Sequence, residues 1–553
     1  MPANRPVGAQ LAAVESGASH LLVVAPPGCG KTEILAMRAD YLIRTGAIRP
    51  GHRLLAITFT NRARDNLNVR LRQQLGDQQM RRSVSVWNFH ELSARLVEAH
   101  YKAIGLDPDY SMPVKAWQRK AIAALTNDKR EAAGALDLLG SLNREPLSDQ
   151  ELLAQVEGSG NLVALGYEQG RQEARYIDYA DLLRYAQIIL RNPRIAALFE
   201  DHFDAVLVDE FQDLSRQQYE LTRHAGARNS MFVGDPYQGI FGWAGAEPQA
   251  VHADLMTRVG EVIELDISFR SSPAVLAVVN SVSASLGSVA LQAADPDEWE
   301  GGGHAYAAGY STDSAEAAGI VALTDYLVVQ YPDDRIAVIC KAAYRRGALE
   351  RAYDGAGSIP QFWDIALDTP RLGRLLRLHA RQVGTAVSIE DQLLDLRDRV
   401  VASLDSADID TIAEVGEACE QLAERHFEGA TARMLVERIR DHQTFGPIAP
   451  GVHVLNAHVG KGQQFDWVVV MGLEEGHVPS SYSKTDETVL EDQRVLLVML
   501  SRARRGLFVT HAIRNQNQWG KVFLNEPSRW WAGMEAACKT VTADVASILR
   551  LPN

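Results

Sequence analysis

The chain is poor in the residues that mark special classes. Its 553 residues include only four cysteines, Cys29, Cys340, Cys419 and Cys538. They stand far apart with no C-x-x-C pair, which argues against a zinc ribbon, an iron–sulfur site or a disulfide framework and makes a reducing cytoplasm the expected setting. No run of about 18 uninterrupted apolar residues occurs, so no membrane span is expected. Met1–Pro6 lacks the apolar core of a signal peptide. Short-period repeats and low-complexity tracts are also missing. Positive charge is in deficit, with 56 Lys and Arg against 70 Asp and Glu and a net charge of −14. That excludes a surface coated in positive charge, yet nucleic acid needs only a local basic stripe. One candidate stripe lies between Asn61 and Arg82, where Arg62, Arg64, Arg70, Arg72, Arg81 and Arg82 face two aspartates. A solvated helix face is the plainer reading of it.

What remains is an ordinary globular composition, 46% apolar and 23% charged. A chain this long exceeds one core, and about three to four domains are expected. Strands are predicted at His20–Val24, Arg53–Thr58 and Ser83–Val86, with a helix from Lys31 to about Thr45. From about Glu91 to Gly170 the strand signal gives way to helical spacing, as in Trp117–Leu125 and Glu151–Glu157. Strands resume at Ala205–Val208, Ser230–Val233 and Val262–Leu265. A second α/β unit is predicted from about Ser272, with a strand at Arg335–Ile339 and a mostly helical block from about Asp364 to Gln443. Ser388–Asp391 and Asp408–Glu424 carry helix-start chemistry and helical periodicity in that block. Val452–Ala457, Trp467–Met471 and finally Gly506–His511 complete the strands. The pattern predicts an α/β chain with two parallel sheets, each interrupted by a helical insertion.

Two segments carry chemistry. Val206–Ser215 is an apolar strand that delivers Asp209 and Glu210 at its C-terminal end, where open α/β sheets bind ligands. Ala25–Thr32 is a phosphate-binding loop with Ala25 in place of the usual first glycine. Pro27, Gly28, Cys29 and Gly30 shape the turn, and glycine at 28 and 30 lets backbone N–H groups curl round phosphate oxygens. Lys31 can reach the β- and γ-phosphates, Thr32 can ligate Mg²⁺, and the following helix points its positive end at the anion. Asp209 is the candidate second metal ligand and Glu210 the candidate base for the attacking water. Arg270 and Arg502 are candidate cationic fingers; each taken singly reads at least as readily as a surface ion pair.

The order of motifs resembles the UvrD/Rep/PcrA-type superfamily 1A DNA helicases over almost the whole chain. Gly8–Leu11 resembles the segment with the adenine-reading glutamine, here Gln10. Ala25–Thr32 is similar to motif I, Leu55–Ala63 to motif Ia, Asp209–Asp213 to motif II, Val233–Ala246 to motif III and Ser268–Ser271 to motif IV. His458–Phe465 is similar to motif V, Gln493–Ala503 to motif VI, and Trp87–His90, Asp178–Leu183 and Pro527–Trp530 to further family segments. The resemblance implies two RecA-like P-loop domains, in segments 1–90, 171–271, 272–363 and 448–553, with helical insertions at 91–170 and 364–447. It implies ATP and Mg²⁺ as cofactors, and Gln238 as the sensor of the γ-phosphate. It implies Phe59, Asn61, His90, Phe241 and Trp243 as contacts to single-stranded DNA, where aromatic faces stack on any base.

The chain also departs from the family pattern. Gly242 and Ala244 stand where the family carries arginines, and Gln463 and Gln464 replace a Leu-Glu pair whose glutamate is associated with the ribose. Leu497-Val498 replaces a Tyr-Val pair. The implied activity is 3′→5′ translocation on single strands and unwinding of tailed duplexes. The alternative is a DNA-sensing ATPase in a Gabija-like antiphage complex that licenses a partner nuclease of the OLD-family type. No nuclease signature is evident in the chain itself.

Overall fold

Five mostly apolar runs and one exposed edge segment build the first sheet in the computed structural model, which describes residues 6–540 apart from 108, 112–120, 179, 243–244, 342, 355, 364, 368–371, 405–408, 425–429, 441–447 and 517–520. They are β1 (His20–Val24), β2 (Arg53–Thr58), β3 (Val84–Asn88), β4 (Phe203–Asp209), β5 (Ser230–Gly234) and β6 (Glu261–Glu264). The order across the sheet is β3-β2-β4-β5-β1-β6, and every neighbouring pair is parallel. Parallel strands are covered by helices on both faces, so their residues are apolar throughout rather than alternating. β4 shows this, with all seven residues buried. Its two carboxylates lie at its ends and fare differently. Asp204, at the entry, is held by the backbone N–H of Arg49 at 2.7 Å and by its guanidinium. Asp209, at the exit, keeps a buried Oδ1 with no hydrogen-bond partner.

Because all six strands run one way, their exits gather at one edge. The phosphate loop follows β1, Phe59 follows β2, His90 follows β3, Glu210 follows β4 and Asp235–Gln238 follows β5. Arg270 lies just beyond β7 (Ile267–Ser268), which pairs with β8 (Gln292–Ala293).

The second sheet contains β9 (His304–Thr312), β10 (Arg335–Cys340) and β11 (Gln361–Trp363). A separate two-residue pair, β12 (Ile365–Ala366) and β13 (Ile439–Arg440), flanks the second helical block. The sheet is completed by β14 (Gly451–Asn456), β15 (Phe465–Val470), β16 (Ala503–Gln516), β17 (Val522–Leu524) and β18 (Lys539–Thr540). The order is β11-β14-β10-β15-β16-β9-β18, parallel throughout, with β17 antiparallel on the end of β16.

Three expectations need correction. Ser83 closes a helix, Asp77–Ser83, and the third strand runs Val84–Asn88. Gly506–His511 is the middle of a strand of 14 residues and is not the last, since β17 and β18 follow. β9 was not anticipated, because its alanines and glycine carry little β signal. Its position between β16 and β18 decides its conformation instead.

Helices Lys129–Leu142, Asp149–Ser159 and Leu162–Glu173 form a small body around Leu139, Leu152, Val156 and Tyr167. A buried ionic network joins it to helix Asp181–Leu190. Arg184 is fully buried and donates to Asp149 at 2.7 Å and Asp181 at 2.8 Å. Arg171 pairs with Asp181 at 3.1 Å and Glu168 at 2.6 Å. The second helical block, Leu372–Ala380, Ile389–Ala402, Ile409–Glu424 and Ala432–Glu437, closes on Leu376, Leu396, Val415 and Leu435. Asp364 and Gln443, placed at its edges from sequence, and Asp408, the start of a helix expected within it, lie outside the described residues, as does the first part of Trp117–Leu125. Among the described residues no helix is long and apolar enough to cross a membrane.

Removing one member of the buried network strands its partner charges. Arg184→Leu is expected to destabilise the chain by about 3–5 kcal/mol, read as a lower urea midpoint with the slope unchanged.

Candidate functional site

The loop after β1 has the backbone a phosphate requires. Gly28 and Gly30 have φ of 85° and 84°, a region open to glycine. Helix Lys31–Arg44 begins at once, with no side chain capping its first turn, so its N–H groups face the loop. Gln10 donates to the Cys29 carbonyl at 2.9 Å and lies against Gly30. The Cys29 thiol is fully buried, and burial pushes its pKa up to about 12, so it fills space without reactivity. Gly28 admits no side chain. A Cβ there would lie 2.4 Å from Ser268 Oγ and 2.8 Å from Arg270 Cβ.

Opposite the loop, β4 ends in a sharp turn. Glu210 adopts φ 53° and ψ 52°, a left-handed conformation that costs a non-glycine residue about 1–3 kcal/mol. The turn aims its carboxylate at Lys31 Nζ, 3.3 Å away. Lys31 and Lys461 hold Glu210 low, at about 2, against the effect of burial. Burial and the neighbouring Glu210 charge push Asp209 up to about 7. The orphaned Asp209 oxygen, with the hydroxyl of Thr32 in the loop, suits a hard cation that takes oxygen ligands and phosphates.

A chain of side-chain bonds leads away from Glu210. Gln212, fully buried, donates to Glu210 Oε2 at 2.6 Å and accepts from the N–H of Asp235 at 3.0 Å. Gly234 leaves it room, since a Cβ there would lie 2.2 Å from Gln212 Oε1. Gln238 donates to Asp235 at 2.6 Å and accepts from Arg502 at 3.3 Å. Arg502 belongs to the second sheet's side of the cleft and is further held by the Val498 carbonyl at 2.8 Å. Arg270 donates to the Ser501 carbonyl at 3.1 Å, while its Nε has no partner. Burial lowers Arg270 to about 10 and Arg502 to about 9, and the Arg270 charge lowers Arg502 further. Neither forms an ion pair with a carboxylate among the described residues. Two buried guanidiniums with no carboxylate in direct contact, and only the Glu210 charge nearby, suit an anion such as a phosphate.

An aromatic platform adjoins this chain. Phe59 and Phe241 stack with centroids 5.7 Å apart and planes 19° apart. Lys461 Nζ lies 4.6 Å from the Phe241 centroid, bonds both Asp213 oxygens at 2.7 Å and donates to the Gln238 carbonyl at 3.0 Å. His90 is half-buried at the start of helix Phe89–His100, and Gln464 is exposed before β15. Trp243 and the side chain of Asn61 lie outside the described residues. Three arginines of the basic stripe are paired with carboxylates: Arg64 with Asp65 and Glu91, Arg70 with Glu33, and Arg72 with Asp77. Arg504 and Arg505 beside Arg502 likewise pair with Asp466 and Asp334.

Residues 7–255 match the UvrD/REP helicase N-terminal domain, and residues 410–514 match the UvrD-like helicase C-terminal domain. The chain belongs to the UvrD/REP helicase family. It is similar to DNA helicase II of Escherichia coli (strain K12), 25% identical over 96% of this chain and 87% of the relative. It is also similar to ATP-dependent DNA helicase UvrD2 of Mycobacterium tuberculosis (strain H37Rv), 27% identical over 95% of this chain and 81% of the relative. The probable DNA helicase II homologue of Rickettsia felis is 23% identical over 92% of each chain. This UvrD-type helicase is therefore an ATP-hydrolysing enzyme.

The geometry of the helicase adds four residues given no role from sequence: Gln212, Asp213, Asp235 and Lys461. Their signal was their fixed spacing inside motifs already recognised, but only the fold shows that Lys461 crosses to Asp213. Gly28→Ala adds a Cβ against Ser268 and Arg270 at a positive φ. ATP turnover is expected to fall at least about tenfold, and the melting temperature is expected to fall as well, because the strain and the clash destabilise the folded chain.

Proposed function

We propose that this helicase couples ATP hydrolysis between its two sheets to 3′→5′ stepping on single-stranded DNA, and so unwinds tailed duplexes. The observation that supports this most directly is the unbroken polar chain from Glu210 through Gln212, Asp235 and Gln238 to Arg502, with Asp213 and Lys461 branching from it to Phe241. Any movement of Arg502 relative to the first sheet alters bonds that end at the aromatic platform. The domain limits proposed from sequence put the cleft between segments 1–271 and 272–553.

In this reading Lys31 leaves Glu210 for the β- and γ-phosphates, and the freed carboxylate orients a water. The water oxygen attacks the γ-phosphorus, the bond to the bridging oxygen of ADP breaks, and Glu210 takes the water's proton. Arg270 and Arg502 neutralise charge on the transferring group, one from each side of the cleft. Mg²⁺ held by Thr32 and Asp209 would supply charge neutralisation on the phosphate oxygens. Gln10 borders the loop where the base would lie. Phe59, Asn61, His90, Phe241 and Trp243 form the DNA-facing group, and closure and opening of the cleft alternate the grip.

Two substitutions test the two ends. Lys31→Ala is expected to abolish ATP turnover while circular dichroism and melting stay normal; normal turnover would remove the loop from catalysis. Phe241→Ala is expected to weaken single-strand binding by about 1–3 kcal/mol for the lost stack. Unchanged affinity would take the platform out of the DNA path. Strand displacement on 3′- and 5′-tailed duplexes fixes polarity, and unwinding from 5′ tails alone contradicts the direction proposed. Single-strand stimulation of turnover without any unwinding would favour a sensing module that acts through a partner such as a nuclease.

A further inference from the structure

The motif III loop is short of positive charge where its aromatic platform would meet a polyanion. Gly242 and Ala244 bring no cation, and Gly242 instead faces a carboxylate, with a Cβ there 3.2 Å from Glu491 Oε1. Lys461, beneath Phe241, is already committed to both oxygens of Asp213. A bare loop beside Glu491 would repel phosphates.

A cation reaches the loop from elsewhere. Arg144, in the strap that follows helix Lys129–Leu142, lays its guanidinium on Gly245. A Cβ at Gly245 would lie 3.2 Å from Arg144 Cζ, 3.3 Å from Nη2 and 3.4 Å from Nε. Gly245 has φ 91°, closing a turn in which its N–H donates to Gly242 and the Ala246 N–H donates to Phe241. Glycine is thus required there both by conformation and by the arginine's approach.

The strap itself is fixed. Gln217 donates to the Asn143 carbonyl at 2.8 Å, Arg191 to the Pro146 carbonyl at 3.1 Å, and buried Arg184 to the Leu147 carbonyl. Arg144 is nonetheless exposed and forms no ion pair with a carboxylate among the described residues. An exposed, unpaired guanidinium on a rigid support, flat against a loop that begins at the aromatic platform, is arranged to donate two parallel N–H bonds to an anion such as a phosphate.

We infer that Arg144 is a phosphate contact for single-stranded DNA, lent by the first helical body to a motif III loop that has no cation of its own. This rests on the reading of Phe241 as part of the DNA path. Stacking on Phe59 and Phe241 would hold bases, and Arg144 would fix the backbone beside them.

The test is binding of a fluorescein-labelled oligo(dT) strand to the full chain across a series of salt concentrations. Each phosphate contact to a single strand contributes about −0.7 to the slope of log K against log salt. Arg144→Ala and Arg144→Gln are each expected to weaken binding several-fold and to flatten that slope by about one such increment. Arg144→Lys is expected to keep the slope. Arg228→Ala removes one positive charge from the turn entering β5, at the opposite edge of the sheet, and is expected to leave the slope alone. Weaker binding with an unchanged slope in Arg144→Gln would mean that the residue only props the loop, and would overturn the inference. Equal flattening by Arg228→Ala would reduce the effect to net charge and overturn it too. If Phe241→Ala weakens binding while both neutral Arg144 variants bind normally, the inference fails and the DNA path stands. If Phe241→Ala binds like the unaltered chain, the DNA path fails and takes the inference with it.

Discussion

The site depends on a neutral amide. Gln212 is buried between a carboxylate that needs a donor and a backbone N–H that needs an acceptor, and its side chain supplies one of each. A carboxylate in its place could not donate to Glu210, and a lysine could not accept from Asp235. An apolar residue would leave two buried polar groups unpaired, each costing about 1–3 kcal/mol. The neutral bridge also lets Glu210 keep its negative charge for Lys31. The path from Glu210 to the second sheet thus passes through amides, Gln212 and Gln238, in which a shift at one end is felt as a lost or gained hydrogen bond at the other.

Charge is distributed to match. The chain is acidic overall, and Arg64, Arg70, Arg504 and Arg505 are matched to carboxylates. The guanidiniums of Arg270 and Arg502, buried between the two sheets, and that of Arg144, exposed, are not matched in this way among the described residues. Unpaired cations stand out against such a background more clearly than they would on a basic protein. The excess of acid elsewhere also disfavours indiscriminate adhesion to nucleic acid.

Much of this was legible in the sequence because it rests on local physics. Apolar runs of four to seven residues gave the buried strands, and the two-glycine turn before Lys31 gave the phosphate loop. Helix starts such as Ser388 were marked by capping chemistry. β9 was not legible, because alanine has no strong preference and the register with β16 imposes its conformation. The basic stripe was only partly legible, since two of the carboxylates that pair with it, Glu33 and Glu91, lie outside it and reach it only through the fold. The Lys461–Asp213 pair spans nearly half the chain and follows only from the meeting of two sheets. Trp243, singled out from sequence, falls outside the described residues, whereas Phe241 beside it is placed by its stack on Phe59.

Glu210 sits in a conformation that glycine would adopt freely. A glycine there would relieve the backbone and remove the carboxylate together. The backbone is therefore held away from its most comfortable state at residue 210, as it is at Arg175, and at 210 the discomfort falls where the proposed reaction needs a charge aimed outward. Selection for robustness alone would drift toward relaxing that turn. A helicase of this design retains its motor only while something other than durability keeps residue 210 acidic.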